Sequence, residues 1–423
     1  MNIFWKIIKI LAAILALILI CMGLYTFVPS FKDGLDSLIT GKKVTTDDDG
    51  VSPSTSEPEA EHMEPYSIPM TNNEEPEENF DVTYVEPVIP REYLSSDIDT
   101  GYIVPPEEEI FIPDELKLRI GGLESITPDI KKLTDEKAKE LEDELTYGDV
   151  GDGLEFDPLM YPYYQMLDDQ SKHLYRQIFA NARALNDHFK AVETNVTGTQ
   201  LNNAFVAVFN DHPELFYLDT KFSAGYRKNG NCLEIREYYN SLADNIGATS
   251  AQFEEAAQSV KNAAPTSPEE YEKAVHDSLA EMNEYSLGTP YNQSAYSALA
   301  AGSTVCAGYS RAFQYVMQLA GIPCYYCSGY AGESHAWNII CLDDEFYNVD
   351  VTWDDTDPGH NYDWYNKTDA DYATTHMRKG LSVYLPPCGG TKYADVNEEQ
   401  QEPVEEEPEE EPPQDRIYLI QVY

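Results

Sequence analysis

Residues 303–324 read STVCAGYSRAFQYVMQLAGIPC. Phe313, Val316, Met317 and Ala320 recur on one helical face, Gly321 stands just past the last of them and Pro323 follows, so the stretch forms a helix that closes before Cys324. Cys306 begins that helix. Downstream the period shortens. Cys324 to Tyr330, His335 to Cys341 and Glu345 to Thr352 are aromatic and aliphatic runs broken by Gly332 and by Asp343-Asp344, which predicts strands joined by tight turns. A helix packed on an antiparallel sheet is the expected core.

A thiol attacks as its thiolate, and the partial positive charge at a helix N-terminus favours that form. If Asp343-Asp344 is a two-residue turn, Trp337 falls opposite Asp350 and His335 opposite Thr352. His335 and Asp350 then share a face as diagonal neighbours. One imidazole nitrogen can face the carboxylate while the other faces Cys306, the arrangement that nucleophilic catalysis by a thiol requires. Trp337 lies on the same face, placed to shield the pair from water or to meet a substrate.

Upstream, Ser267, Pro268 and Glu270 mark a helix start, and Val275, Leu279 and Met282 form its buried stripe. Gln293 and Tyr296 precede the cysteine and are candidates for contact with substrate or with an oxyanion. This core is expected over residues 265–392. Before it, residues 154–264 read as a small α/β domain. They carry a helix over about 169–189, a second over about 201–209, and a hairpin in which Phe222, Ala224 and Tyr226 alternate before Asn229-Gly230, with Leu233 and Ile235 on the return.

Residues 31–153 are acidic and proline-punctuated and read as a disordered spacer, with a short helical piece near Asp129 to Leu145; residues 393–423 form an acidic tail. Ile10 to Pro29 is an uncharged apolar run preceded by Lys6 and Lys9, of about the 20 residues that a transmembrane helix needs. The first 30 residues are therefore expected to be an uncleaved single-pass anchor, with the rest of the chain outside the cell membrane. The 423 residues carry a formal net charge of −47, which argues against nucleic acid as a partner. Of seven cysteines, Cys21 falls in the apolar run, and Cys232, Cys341 and Cys388 read as buried and inert. Cys324 and Cys327 form a C-x-x-C, but on a strand they point to opposite faces, so neither a metal nor any other cofactor is expected.

The blocks STVCAGYSRAFQYVMQLAGIPC, SHAWNII and FYNVDVTWDD together resemble the three core motifs of the transglutaminase-like superfamily, in the order Cys, His, Asp. Trp337-Asn338 and Thr352-Trp353-Asp354 match the family's flanks, and the DHPELFYL stretch resembles the region before this core in bacterial members. The resemblance covers about Pro268 to Trp364. It implies an α+β, papain-like fold with Cys306 as nucleophile, His335 as acid/base and Asp350 as orienting carboxylate. It also implies acyl transfer through a thioester on a peptide or protein substrate, cell-wall components included. The acceptor is water or an amine. Because some members have lost activity, a catalytically silent surface protein that binds peptide or wall components is the alternative.

Overall fold

A computed structural model describes residues 91–95, 101–356 and 359–394. Its first sheet contains β1 (Thr127–Lys132), β2 (His188–Lys190), β3 (Leu218–Tyr226) and β4 (Cys232–Tyr239) in the spatial order β1-β3-β4-β2. The pairing is antiparallel except for β1 on β3. Helices α1 (Asp135–Glu144), α2 (Pro162–Met166), α3 (Asp169–Ala184) and α4 (Gly198–Asp211) accompany it. The β3–β4 turn has Gly230 at φ 87°, as an Asn-Gly turn requires.

Next come α5 (Ile246–Ala263), α6 (Pro268–Met282), the parallel two-stranded pair β5 (Glu284–Tyr285) and β6 (Ser303–Thr304), and α7 (Cys306–Leu319). The second sheet, all antiparallel, holds β7 (Cys324–Tyr330), β8 (Ser334–Leu342), β9 (Glu345–Val349) and, after the short helices α8 (Val351–Asp354) and α9 (Asp369–Tyr372), β10 (Met377–Arg378). Its order is β10-β7-β8-β9. The apolar face of α7 packs on β7 and β8, so the expected helix-on-sheet core is present.

Several expectations are corrected. The spacer expected over residues 31–153 is built into the fold wherever it is described from residue 101 onward: β1 supplies an edge strand, and Thr134 caps α1 by accepting a hydrogen bond from the Lys137 amide. A strand joins a sheet through backbone groups, so the acidic composition did not reveal it. The helix expected over about 169–189 ends at Ala184. Leu185 turns left-handed at φ 52°, and Phe189 belongs to β2 instead. The last strand stops at Val349 rather than Thr352, because the Asp350 side chain accepts hydrogen bonds from the Thr352 and Trp353 amides and starts α8.

The expected division at residue 264 does not separate two cores. One buried cluster runs from Leu94 through Phe205 and Phe313 to Cys388. Buried polar groups bind its halves. Gln314 of α7 donates to the Asn210 carbonyl over 2.8 Å, and Arg311 donates to that of Phe209, where α4 runs out of internal acceptors' partners. The anchor expected over the first 30 residues and the tail beyond Ala394 lie outside the described residues. Among the described residues no helix is long and apolar enough to cross a membrane.

Candidate active site

Cys306 is the first residue of α7, with Val305 as the N-cap. Helix and preceding turn are tightly joined at Gly308. A Cβ there would lie 1.9 Å from Thr304 Oγ1 and 2.7 Å from Ser297 Oγ, two hydroxyls that bond each other at 2.6 Å. Gly308→Ala should therefore lower stability by about 1–3 kcal/mol, as overpacking does. The check is a melting curve, and an unchanged Tm contradicts this account of how the cysteine is held.

His335 lies on β8, opposite Gly329 of β7. Asp343 and Asp344 form the tight turn at φ 48° and 65°, and β8 pairs with β9 in the register that the turn implies, Asn338 opposite Val349. Asp350 follows directly. Its Oδ2 accepts from His335 Nε2 at 2.7 Å, while Oδ1 accepts from the Thr352 and Trp353 amides at 3.0 and 3.3 Å. Both side chains are fully buried. Burial works to lower the imidazole's pKa, but the charge of Asp350 and then the Cys306 sulfur outweigh it, and His335 is pushed up to about 10. Burial likewise opposes ionisation of Asp350, yet His335 and then His376 hold its carboxyl well below the usual carboxylate range. His335 Nδ1 is buried and, among the described residues, has no partner at good hydrogen-bonding geometry; it is the nitrogen left for the thiol.

His376 was not legible in advance. Its Nε2 donates to Asp350 Oδ2 at 3.3 Å and its Nδ1 meets Thr375 Oγ1 at 2.9 Å. Burial pulls its pKa down to about 4, so it is a neutral donor that positions the carboxylate. β10 brings it there by pairing with the far edge of β7. Rings close the site: Trp353, His376 and Trp337 lie 5.4, 5.7 and 6.3 Å from the His335 ring, centroid to centroid.

Of the other candidates, Trp337 stays at the site as shielding and two fall elsewhere. Trp337 is buried and donates from Nε1 to Asn348 Oδ1 at 3.1 Å, so it walls the imidazole and does not line a substrate surface. The Tyr296 hydroxyl donates to Gln252 Oε1 at 2.8 Å, its ring packed on Phe216; it serves the α5 interface, not the thiol. Gln293 uses its amide to hold another segment, donating to the Gly122 carbonyl at 2.7 Å and accepting from the Glu124 amide at 2.9 Å. The polar group at the thiol is instead Tyr285, on β5. Its hydroxyl donates to the Gly121 carbonyl at 2.6 Å, and Cys306 Sγ lies 3.9 Å from that same oxygen. Burial, then the charges of Cys306 and Asp350, raise the Tyr285 pKa, so it stays a donor at neutral pH.

His335, Asp350 and His376 also place one potential ligand atom each within 4.8 Å of one another. Both imidazoles, however, already bond the same carboxylate oxygen. Two imidazoles sharing one carboxylate oxygen is an arrangement that orients the rings and the carboxylate. Among the described residues the other cysteines, Cys232, Cys324, Cys327, Cys341 and Cys388, are free and buried.

Residues 254–351 match the family model described as the transglutaminase-like superfamily, and the match includes Cys306, His335 and Asp350. No curated protein matches the chain in sequence. Among solved structures, a candidate cysteine protease from Cytophaga hutchinsonii is 14% identical over 36% of this chain and 55% of its own, with a TM-score of 0.24. A structure described as a TGase is 12% identical over 55% of this chain and 61% of its own, with a TM-score of 0.23. The chain thus spans less than two thirds of either.

Proposed function

From a transglutaminase-like core over residues 254–351 as premise, we propose that this chain is a thiol acyl-transfer enzyme acting on peptide or amide bonds. The carrying observation is the buried 2.7 Å pair of His335 and Asp350 with the Cys306 thiol beside its free nitrogen. Cys306 gives its proton to His335 and attacks the carbonyl carbon, and the C=O electron pair moves to oxygen. The imidazolium then protonates the departing amine as the C–N bond breaks, which leaves a thioester. Water or an amine attacks the thioester, His335 takes the acceptor's proton, and the thiol is regenerated. The apolar run Ile10 to Pro29 supports a tethered, extracytoplasmic placement, and the acidic charge favours basic or wall-associated peptides as substrates.

Tyr285 is the proposed oxyanion donor, since its hydroxyl already holds a carbonyl oxygen next to the sulfur. Tyr285→Phe should lower kcat on the order of 10²-fold with KM little changed, as loss of one such donor does. Release of amine from a peptide library, with and without an added amine acceptor, tests the reading. Turnover that survives in a Cys306→Ala chain refutes it.

A further inference from the structure

Gly121, whose carbonyl meets the thiol, belongs to the segment that leads into β1. None of residues 118–126 pairs in a sheet. Side chains of the core seat this segment instead: Tyr285 at the Gly121 carbonyl, Gln293 at both Gly122 and Glu124, and Asp355, which binds Arg119 at 2.8 Å. Two clefts lie along its course. One, of about 860 Å³, is lined by Leu118, Arg119, Tyr285 and Trp353; the other, of about 240 Å³, by Leu123, Ile126, Tyr326 and Ser334. Ile120 packs on the Trp353 and Ala331 cluster, and Leu123 on Cys306, Tyr326 and Ala336. Between them, Gly121 and Gly122 take φ 85° and 78°. A Cβ on Gly121 would lie 2.6 Å from Glu333 Oε2, and one on Gly122 2.7 Å from Leu287 Cδ2 and 2.9 Å from Val305 Cγ1. Cys306 and His335 are wholly buried beneath.

We propose that residues 118–126 form a tethered pseudosubstrate that keeps the enzyme latent, and that the groove they fill accepts peptides with two small residues, the first carrying the reacting carbonyl, between two aliphatic ones. The substrate half of the proposal rests on the acyl-transfer reading. Hydrogen bonds to the backbone, with apolar pockets for particular side chains, are how a groove holds a peptide. The strap is spared because its left-handed turn presents the Gly121 oxygen, and not the carbonyl carbon, to sulfur. Backbone in that region is strained for any residue but glycine, so a side chain at Gly122 both strains the turn and collides with the groove wall.

The test is iodoacetamide alkylation of Cys306 in the full chain, mapped by peptide mass spectrometry, in wild type, in Gly122→Val, and in Leu123→Glu as a second route to an open strap. Because the reagent reaches the thiol only in the open form, whose population sets the rate, opening should speed alkylation on the order of tenfold or more. A synthetic peptide of residues 117–126, KLRIGGLESI, should slow it again and should compete with acyl donors. Equal rates in wild type and both folded variants overturn latency, even if turnover is seen. A peptide that neither protects nor competes overturns the substrate class. Faster alkylation reversed by the peptide, without turnover of any amide, upholds the strap and sinks the acyl-transfer reading instead.

Discussion

Replacing His335 by alanine should cut acyl-transfer turnover on the order of 10⁴-fold or more, because the same imidazole takes the thiol's proton and later returns it to the departing amine. The fold should survive. Asp350 would lose its 2.7 Å partner but keep His376 and the Thr352 and Trp353 amides, so the buried carboxylate is not left without donors. Steady-state rates of amine release, with a melting curve as control, read both halves. A folded His335→Ala chain with turnover within tenfold of wild type contradicts the role.

Asp350→Asn is the second large effect, expected on the order of 10²- to 10⁴-fold in kcat. An amide of the same shape can still accept from the two backbone amides through Oδ1. It no longer supplies the charge that contributes most to raising the His335 pKa to about 10 against burial. The sign follows directly. In wild type the imidazolium persists through neutral pH, whereas in the variant burial wins and the ring becomes neutral as pH rises from the acid side. Activity and Cys306 alkylation should both fall at pH 7. A variant with wild-type turnover and a wild-type pH profile removes Asp350 from the mechanism.

Much of this site could be read from residue types because its parts are local. Gly321 and Pro323 end a helix that Cys306 begins, and Asp343-Asp344 fix a register that brings His335 to Asp350. Even the early end of β9 had a signal, since aspartate is a strong helix cap. What stayed hidden depends on distant pairings through the backbone, which any sequence can make. β1 pairs with β3 far along the chain although Asp129 to Lys132 read as the start of a helical piece, and the pairing of β10 with β7 brings the preceding His376 to the site from a loop with no periodicity. Tyr285 sits on a two-residue strand, too short to leave a pattern. Gln293 and Tyr296 were of a suitable type and near in sequence, but their hydrogen bonds belong to the strap and to α5. The strap was concealed by its own acidic, proline-marked surroundings, which resemble a spacer.

The most direct test of a thiol primed by an imidazole is the rate of Cys306 alkylation by iodoacetamide near pH 6, compared between wild type and His335→Ala in the Gly122→Val background. Strap opening is then common to both chains and cancels in the ratio. Wild-type His335 should give a rate at least about tenfold higher, because ordinary thiols are almost wholly protonated at that pH and only a neighbouring imidazolium sustains the thiolate. Equal rates in the two folded chains would contradict the account.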